Sequence, residues 1–435
     1  MRKYGMFAAT VVVVIATYYI IDWWAIFERE ADMPDAKTVL QISETNLRKN
    51  LFKNKHYDKE NYWLSVGKGA YNRQYYSRDT FVTFMGARKV DSLREPLSYA
   101  IDWFAAHQDS DGYIPIWFQE SEPKPGKFDL NVYRLAPYNL TEVTGGIRNV
   151  DHVMQFMVAI YDDYKKSGDI SRLKSRLPYA DKAWNYLSAL THDQLITTKY
   201  SPNGGPDWAD KIRRSGKASF INAYWYWVTV QMSELSEAVG EFDRAEGLRR
   251  HAARIFTEYN RLFWTESKPS GCGSEIFGHY ASWADESGRL HDYFEVDGNS
   301  LAVAVGLANE AQAKSILDHI NANFNYYVNK YGASRVLCGH YDAEDTEVKA
   351  GEYQNGAYWY IPSYFLAMAY KRHNDSAKIQ KLKLRAYNAT LKFKDSGLTE
   401  WYREGSDHGG QINYSWSIAF PIFLSDFTSV RLKSE

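Results

Sequence analysis

The feature that most constrains this chain is one pattern restarted along its length: apolar residues at i, i+3 and i+4, broken by polar, glycine-rich stretches. The pattern runs from Tyr99 to Ala106, from Val153 to Tyr164, around Leu187, and from Ile221 to Val239. It returns from Ala245 to Phe263, Ser300 to Ala308, Ala311 to Ile320, Tyr358 to Tyr370, Ser376 to Leu391 and Tyr414 to Phe427. Breaks such as Asp109-Ser110-Asp111-Gly112 and Lys124-Pro125-Gly126 separate the runs, and alternating strand patterns are scarce. About a dozen helices joined alternately by short turns and long polar loops predict an all-α ring of helical hairpins; a solenoid of irregular helical repeats shares the pattern. No low-complexity linker or long charge block interrupts residues 36–435, so they are expected to form a single domain. In such a ring the long loops gather at one end, where function concentrates.

Residues 1–35 read differently. Met1-Arg2-Lys3 precedes an apolar run from Met6 to Ile21 that Trp23 to Phe27 prolong past Asp22. A bilayer span takes about 20 apolar residues, with tryptophans at the interface. The run therefore predicts a signal-anchor helix, with the body outside the cytoplasm because the cations precede it and Glu28, Glu30 and Asp32 follow it. A cleaved signal, giving a secreted protein, is the alternative.

The charges nearly cancel, 52 Lys+Arg against 53 Asp+Glu, which leaves no basic excess to neutralise phosphates and excludes a nucleic-acid binder. Aromatics make up 16% of the chain, with 34 Tyr and 14 Trp. That surplus over core needs suits a cleft that stacks half-apolar ligands such as sugars. Cys272 and Cys338 are too few for a disulfide framework and lack zinc-site spacing; they can pair outside the cytosol, and the sequence leaves this open. No metal and no cofactor are expected, and nothing in the sequence sets an oligomeric state.

The polar loops carry the candidate chemistry. Tyr75-Tyr76-Ser77-Arg78-Asp79-Thr80 opens a helix, where Asp79 reads equally as a cap or as a sugar-hydroxyl partner beside Arg78. Asp111-Gly112-Tyr113-Ile114-Pro115-Ile116-Trp117 is a turn followed by an aromatic, and Asn149-Val150-Asp151-His152 again sets acid and imidazole at a helix start. Asp207-Trp208-Ala209-Asp210 brackets a tryptophan with carboxylates and leads into Lys211, Arg213 and Arg214. Surface salt bridging is the bland reading; an apolar neighbour that keeps a carboxyl protonated is the functional one. Glu352-Tyr353-Gln354-Asn355-Gly356-Ala357-Tyr358-Trp359 and Thr399-Glu400-Trp401-Tyr402 complete the set. With no G-x-S-x-G, P-loop, H-E-x-x-H or paired C-x-x-C, what remains is carboxylates among aromatics, the equipment of glycosidic bond cleavage.

In chain order, "SRDTFVTFMGARKVD", "DGYIPIWF", "NVDHVMQFMVAIYDDYKKSGD", "DWADKIRRSGKASFINAYWYWVTVQMSELSEAVG", "FEVDGNSLAVAVGLA", "EYQNGAYWYIPSYFLAMAY" and "LTEWYREGSDHGGQINYSWSIAF" resemble the six-hairpin, (α/α)6-toroid glycosidases. The chain looks most like the amylo-1,6-glucosidase part of glycogen debranching enzymes, with similarity to glucoamylases, trehalases and mannosylglycerate-type hydrolases. The resemblance implies that Arg78 and Asp79 hold the terminal sugar and that Asp210 is the general acid. Asp207 is the alternative acid. It further implies Glu400 as general base, with Glu352 as the alternative. Trp117, Asp151, His152, Trp208, Lys211, Tyr353, Asn355, Trp359 and Trp401 complete the expected substrate-binding set. Two positions depart from the debranching motif: Ala209 stands where Met is usual, and Arg403-Glu404 replace an Asp-Gly.

The expected function is inverting hydrolysis of an α-linked bond in an oligosaccharide or small glycoside by two carboxyls about 6.5–9.5 Å apart. The alternatives are a lyase, an epimerase or a sugar-binding module on the same toroid, or a helical scaffold for protein partners.

Overall fold

The computed structural model describes residues 33–53, 62–64, 67, 74–120, 132–134, 149–200, 205–407 and 409–427. Of the expected N-terminal anchor segment, residues 1–35, residues 1–32 lie outside that set. Among the described residues no helix is long and apolar enough to cross a membrane.

Thirteen helices occur among the described residues. They are α1 (Ala36–Arg48), α2 (Ser77–Ala87), α3 (Asp91–Ala106), α4 (Asp151–Ser167), α5 (Ile170–Ser188), α6 (Ser219–Ala238) and α7 (Phe242–Phe263). After them come α8 (Val296–Val305), α9 (Glu310–Ala322), the one-turn α10 (Phe324–Tyr327), α11 (Tyr360–Arg372), α12 (Ser376–Lys392) and α13 (Ser415–Ser425). Six of them form an inner ring in which α2 packs on α4, α4 on α6, α6 on α8, α8 on α11, α11 on α13, and α13 back on α2. The last contact joins the two ends of the chain and closes a toroid, which a solenoid would not do. The outer helices α3, α5, α7, α9 and α12 each follow an inner helix, and α1 covers α13.

The two layers differ in sequence for a physical reason. Inner helices touch protein on every side and are apolar nearly all round: ten of the eleven residues of α2 are buried, as are Ser415 to Leu424 of α13. Outer helices keep one wet face, so in α7 the buried residues are Ala245, Leu248, Ala252, Ile255, Tyr259 and Phe263, at helical spacing. Outer helices α1, α5, α9 and α12 are capped by the side chains of Asp35, Asp169, Asn309 and Asp375. No inner helix has a side-chain cap. Instead α2, α4 and α8 carry Asp79, Asp151 and Asp297 in their first turns, so partial positive charge from the helix ends meets carboxyls at one mouth of the ring.

Short strands pin the loops at that mouth. Gln74–Tyr76 pairs with Trp117–Glu120, setting Tyr76 opposite Trp117. Tyr358–Trp359, expected to open a helix, is a strand between Ser334–Arg335 and Trp401–Tyr402, and its register sets Trp359 opposite Trp401. A repeated device fixes consecutive hairpins: Asn222 and Asn299, each fourth in its inner helix, donate to the carbonyls of Ala218 and Glu295. Each also accepts a loop amide, from Ile196 and from Tyr280. Cys272 and Cys338, whose pairing the sequence left open, form a disulfide.

Candidate active site

At the mouth formed by the N-termini of the inner helices, Arg78 of α2 forks onto Asp151 of α4, with Nε 2.7 Å from Oδ2 and Nη2 2.9 Å from Oδ1. Burial works to raise the Asp151 carboxyl, but Arg78 and the neighbouring His152 override it and hold it down to about 2. Asp151 is therefore the fixed counter-ion of Arg78. His152 donates from Nε2 to the Ile114 carbonyl at 2.8 Å, and burial lowers its pKa, so the ring is a neutral prop for the 111–117 loop. Both residues are fully enclosed. Their expected contact with substrate is corrected accordingly: they stand behind Arg78 and orient it.

The two aspartates around Trp208 have opposite surroundings. Asp207 is fully buried, Oδ1 accepts the Ala209 amide at 2.8 Å, and Oδ2 accepts Arg214 Nη1 at 2.6 Å. Arg214 is itself buried and gives Nη2 to Glu295 Oε1 at 2.7 Å, on which the Tyr341 hydroxyl also lands. A carboxylate with both oxygens committed inside an ion triad does not reach a substrate, which removes Asp207 as the alternative acid. Asp210 is half-buried at the mouth. Its Oδ1 accepts Gln354 Nε2 at 3.0 Å, and the same Nε2 is 3.1 Å from the Trp208 carbonyl, so one amide holds both the carboxyl and its loop. Burial raises the Asp210 pKa, opposed by the charges of Arg78 and Lys211.

Glu400 is the other unsatisfied acid. It is buried, it accepts only the Gln411 amide among the hydrogen bonds described for it, at 3.2 Å, and its pKa is pushed up to about 8. Desolvation is the main cause, and the charges of Asp79 and Asp210 add to it. A Cβ on Gly410 would come within 2.6 Å of Glu400 Oε2, so glycine there makes room for the carboxyl. Asp79 is raised to about 6 by burial while the Tyr414 hydroxyl donates to its Oδ1 at 2.6 Å. The charges of Asp79, Asp210 and Glu400 raise the Tyr76 hydroxyl, behind burial as the main cause, and that of Arg78 opposes them.

Tryptophans pack together beneath the same mouth, and Trp208 and Trp359 are enclosed there, which corrects their expected contact with substrate. Trp208 gives Nε1 to Asp297 Oδ2 at 2.7 Å and meets Trp359 edge-on at 5.4 Å. Trp359 lies nearly parallel to Trp401 at 6.2 Å, and Tyr353 stands edge-on to both. Glu352, the alternative base, sits at the rim with Oε1 3.0 Å from Arg403, a neutralised carboxylate in a wet setting. Asn355 is corrected too: its amide is spent on the backbone, accepting from Tyr341 N at 2.7 Å and donating to Val348 O at 2.6 Å. The Trp117 side chain lies outside the described residues.

Gln354, Tyr76, Tyr414 and Trp416 belong to the site and were not singled out as site residues. Trp416 packs on Tyr414 at 4.8 Å and on Trp359 at 6.3 Å. Each lies in a segment quoted for the family resemblance or one residue from it, and nothing in local spacing separates such a residue from its neighbours.

Comparison with known proteins agrees with this architecture. The family model described as "Glycosyl hydrolase 94 superfamily, catalytic domain" matches residues 75–357, a span that includes Asp210 and not Glu400. Among solved structures, the GH63 mannosylglycerate hydrolase from Thermus thermophilus in complex with glucose superposes with a TM-score of 0.64 at 15% identity, over 88% of this chain and 98% of that one. The same hydrolase in complex with Tris and D-glycerate gives 0.64 at 14% identity, over 89% and 100%. An uncharacterized conserved protein of Thermus thermophilus gives 0.63 at 15%, over 89% and 100%. No curated protein matches by sequence. With a closed six-hairpin ring, a mouth of carboxyls among tryptophans and a family match over most of its length, the chain belongs to the Glycosyl hydrolase 94 superfamily and is a glycoside hydrolase.

Proposed function

We propose that the enzyme hydrolyses an α-linked glycosidic bond of an oligosaccharide or small glycoside with inversion, through Asp210 and Glu400. The observation that carries this is the pair itself: two carboxyls at one mouth, each raised by burial, the charge of Asp210 felt at Glu400, and neither in a direct ion pair among the described residues. Asp210 protonates the leaving oxygen, with Gln354 fixing the carboxyl and the field of Arg78 and Lys211 easing its later ionisation. Glu400 takes the proton of a water that attacks the anomeric carbon from the opposite face. Arg78 and Asp79 bind hydroxyls of the terminal sugar, and Trp401 and Tyr353 supply apolar faces for its ring.

A second reading exchanges the two roles, and one observation favours it: with a pKa of about 8, Glu400 holds a proton in the free enzyme at neutral pH. Two experiments separate these readings. NMR of the first-formed product from α- and β-linked disaccharides and glyceryl glycosides gives the anomer; inversion is expected, and retention contradicts the two-carboxyl scheme. Asp210→Asn is then assayed on a substrate with a good leaving group, such as a glycosyl fluoride. Turnover close to wild type there, with loss on the disaccharide, assigns Asp210 as the acid. If Glu400→Gln shows that pattern instead, the roles are exchanged.

A further inference from the structure

The outer helices differ in what they turn to solvent. On α7 the exposed side carries Arg249 and Arg250 paired with Glu246, and Arg261 paired with Glu258. Charges of both signs at that spacing neutralise one another along a surface helix. Helix α12 is built otherwise. It holds Lys378, Lys381, Lys383, Arg385 and Lys392 and no acid. Residues 371–395 together carry eight cations against Asp375 and Asp395, in a chain whose net charge is −1.

Folding gains little from this arrangement. Partial positive charge at a helix N-terminus disfavours a cation in the first turn, where Lys378 stands. Burial and the charge of Lys381 lower the Lys378 pKa, so the cations oppose one another. Among the described residues Lys378 and Lys383 make no ion pair. Lys378 donates to the Asn321 carbonyl at 3.2 Å and Arg385 to the Val328 carbonyl at 2.6 Å, neutral acceptors that leave the charge in place. Lys392 shares one carboxylate, Asp407, with Lys330. Between these cations the helix turns an apolar line outward. Its buried side includes Ile379, Leu382, Ala386 and Ala389, while Ala377, Leu384 and Leu391, seven residues apart, lie on the opposite side. Leu391 is 37% exposed and Leu384 is half-buried.

An apolar line flanked by lysine and arginine is the pattern of a helix that lies along a membrane surface. The place of α12 in the fold agrees. Helix α1 packs beside it, with Asn46 Nδ2 3.1 Å from the Lys394 carbonyl. The chain therefore enters the body next to α12, and the apolar stretch from Met6 to Phe27 is joined there through residues 28–35. We propose that the outward face of α12 binds membranes whose surface carries anionic headgroups, with Leu384 and Leu391 at the interface and the flanking cations against the headgroups. Helix α12 lies outside the ring against α11 and α13, so a bilayer along it leaves the carboxyls of the mouth open to substrate.

The test uses the full chain and vesicles of phosphatidylcholine with or without phosphatidylglycerol. Both native cysteines are in the disulfide, so Asn388→Cys on the outward side of α12, or Ala253→Cys on α7, takes a single fluorophore. Lipids with a nitroxide on the headgroup then report which side lies against the bilayer. Quenching is expected at the Asn388 position and not at the Ala253 position, only with phosphatidylglycerol present, and is expected to be lost in molar salt. Lys378→Gln/Lys381→Gln/Lys383→Gln is expected to raise the vesicle concentration for half-maximal quenching by on the order of a hundredfold, about fivefold per cation. Leu384→Ser/Leu391→Ser should raise it too, with helical circular dichroism unchanged in both variants. Equal quenching at the two positions, or equal quenching with and without phosphatidylglycerol, overturns the proposal, since attachment through residues 1–32 alone would give either. Absence of quenching overturns it as well, as does binding to soluble dextran sulfate without binding to vesicles. If a variant unfolds, the parent decides: quenching at the Asn388 position that persists in molar salt contradicts the proposal.

Discussion

Two layers of charge lie at the same mouth of the ring, and they are built on opposite rules. In the inner layer the charges are tied into ion pairs: Arg78 forks onto Asp151, and Arg214 joins Asp207 to Glu295. In the outer layer Asp210 and Glu400 are desolvated with no direct ion pair among the described residues. Matched burial makes a rigid platform and suppresses reactivity. Unmatched burial costs stability and leaves proton affinities tuned for acid and base work near neutral pH. The comparison turns on the two residues between Asp207 and Asp210: the first carboxyl anchors the loop, and the second is the one proposed to meet substrate.

The largest expected effect falls on the outer layer. Asp210→Asn and Glu400→Gln should each lower turnover of a natural glycoside by about 10²–10⁴-fold, measured as kcat on a substrate the parent enzyme cleaves. The inner layer should respond in stability instead. Arg214→Met strands two buried carboxylates and is expected to cost about 3–5 kcal/mol in urea unfolding, well above the effect of either outer-layer change. An Arg214→Met chain that lost activity with no loss of stability would break the distinction between the layers.

The pH profile sharpens it further. If Glu400 is the base, kcat/KM must rise with pH up to about 8, where its carboxyl ionises in the free enzyme, and level off above; a fall through that range marks it as the acid. The smallest effect has an unusual sign. The folded state raises Glu400 from 4.5 to about 8, so it binds more protons than the unfolded chain between those values. That stability is fully present below the unfolded pKa and is lost as pH rises through about 8. Glu400→Gln removes the ionisation and should raise the melting temperature at pH 8 by on the order of 1–3 °C, while Glu352→Gln, already paired at the rim, should leave it unchanged.

Much of the fold was legible because helical periodicity is local: the runs at Ala245 to Phe263 and Ser376 to Leu391 coincide with α7 and α12 to within a few residues. Strands of two residues, such as Tyr358–Trp359, leave no alternating pattern and were absorbed into the helix that follows. Closure of the ring by α13 on α2 joins residues more than three hundred positions apart, which periodicity does not encode. At the site, residue type picked out the acids, yet Asp207 and Asp210 look alike in the chain, and only the placement of Arg214 and Gln354 separates them.

The most direct measurement is to take Asp210→Asn and Glu400→Gln side by side, recording turnover on a cleaved glycoside and thermal melting on the same samples. Turnover reduced by at least about a hundredfold in both, with melting temperatures equal to or above that of the parent, is the expected result. Near-normal turnover in either variant would contradict the assignment of this pair.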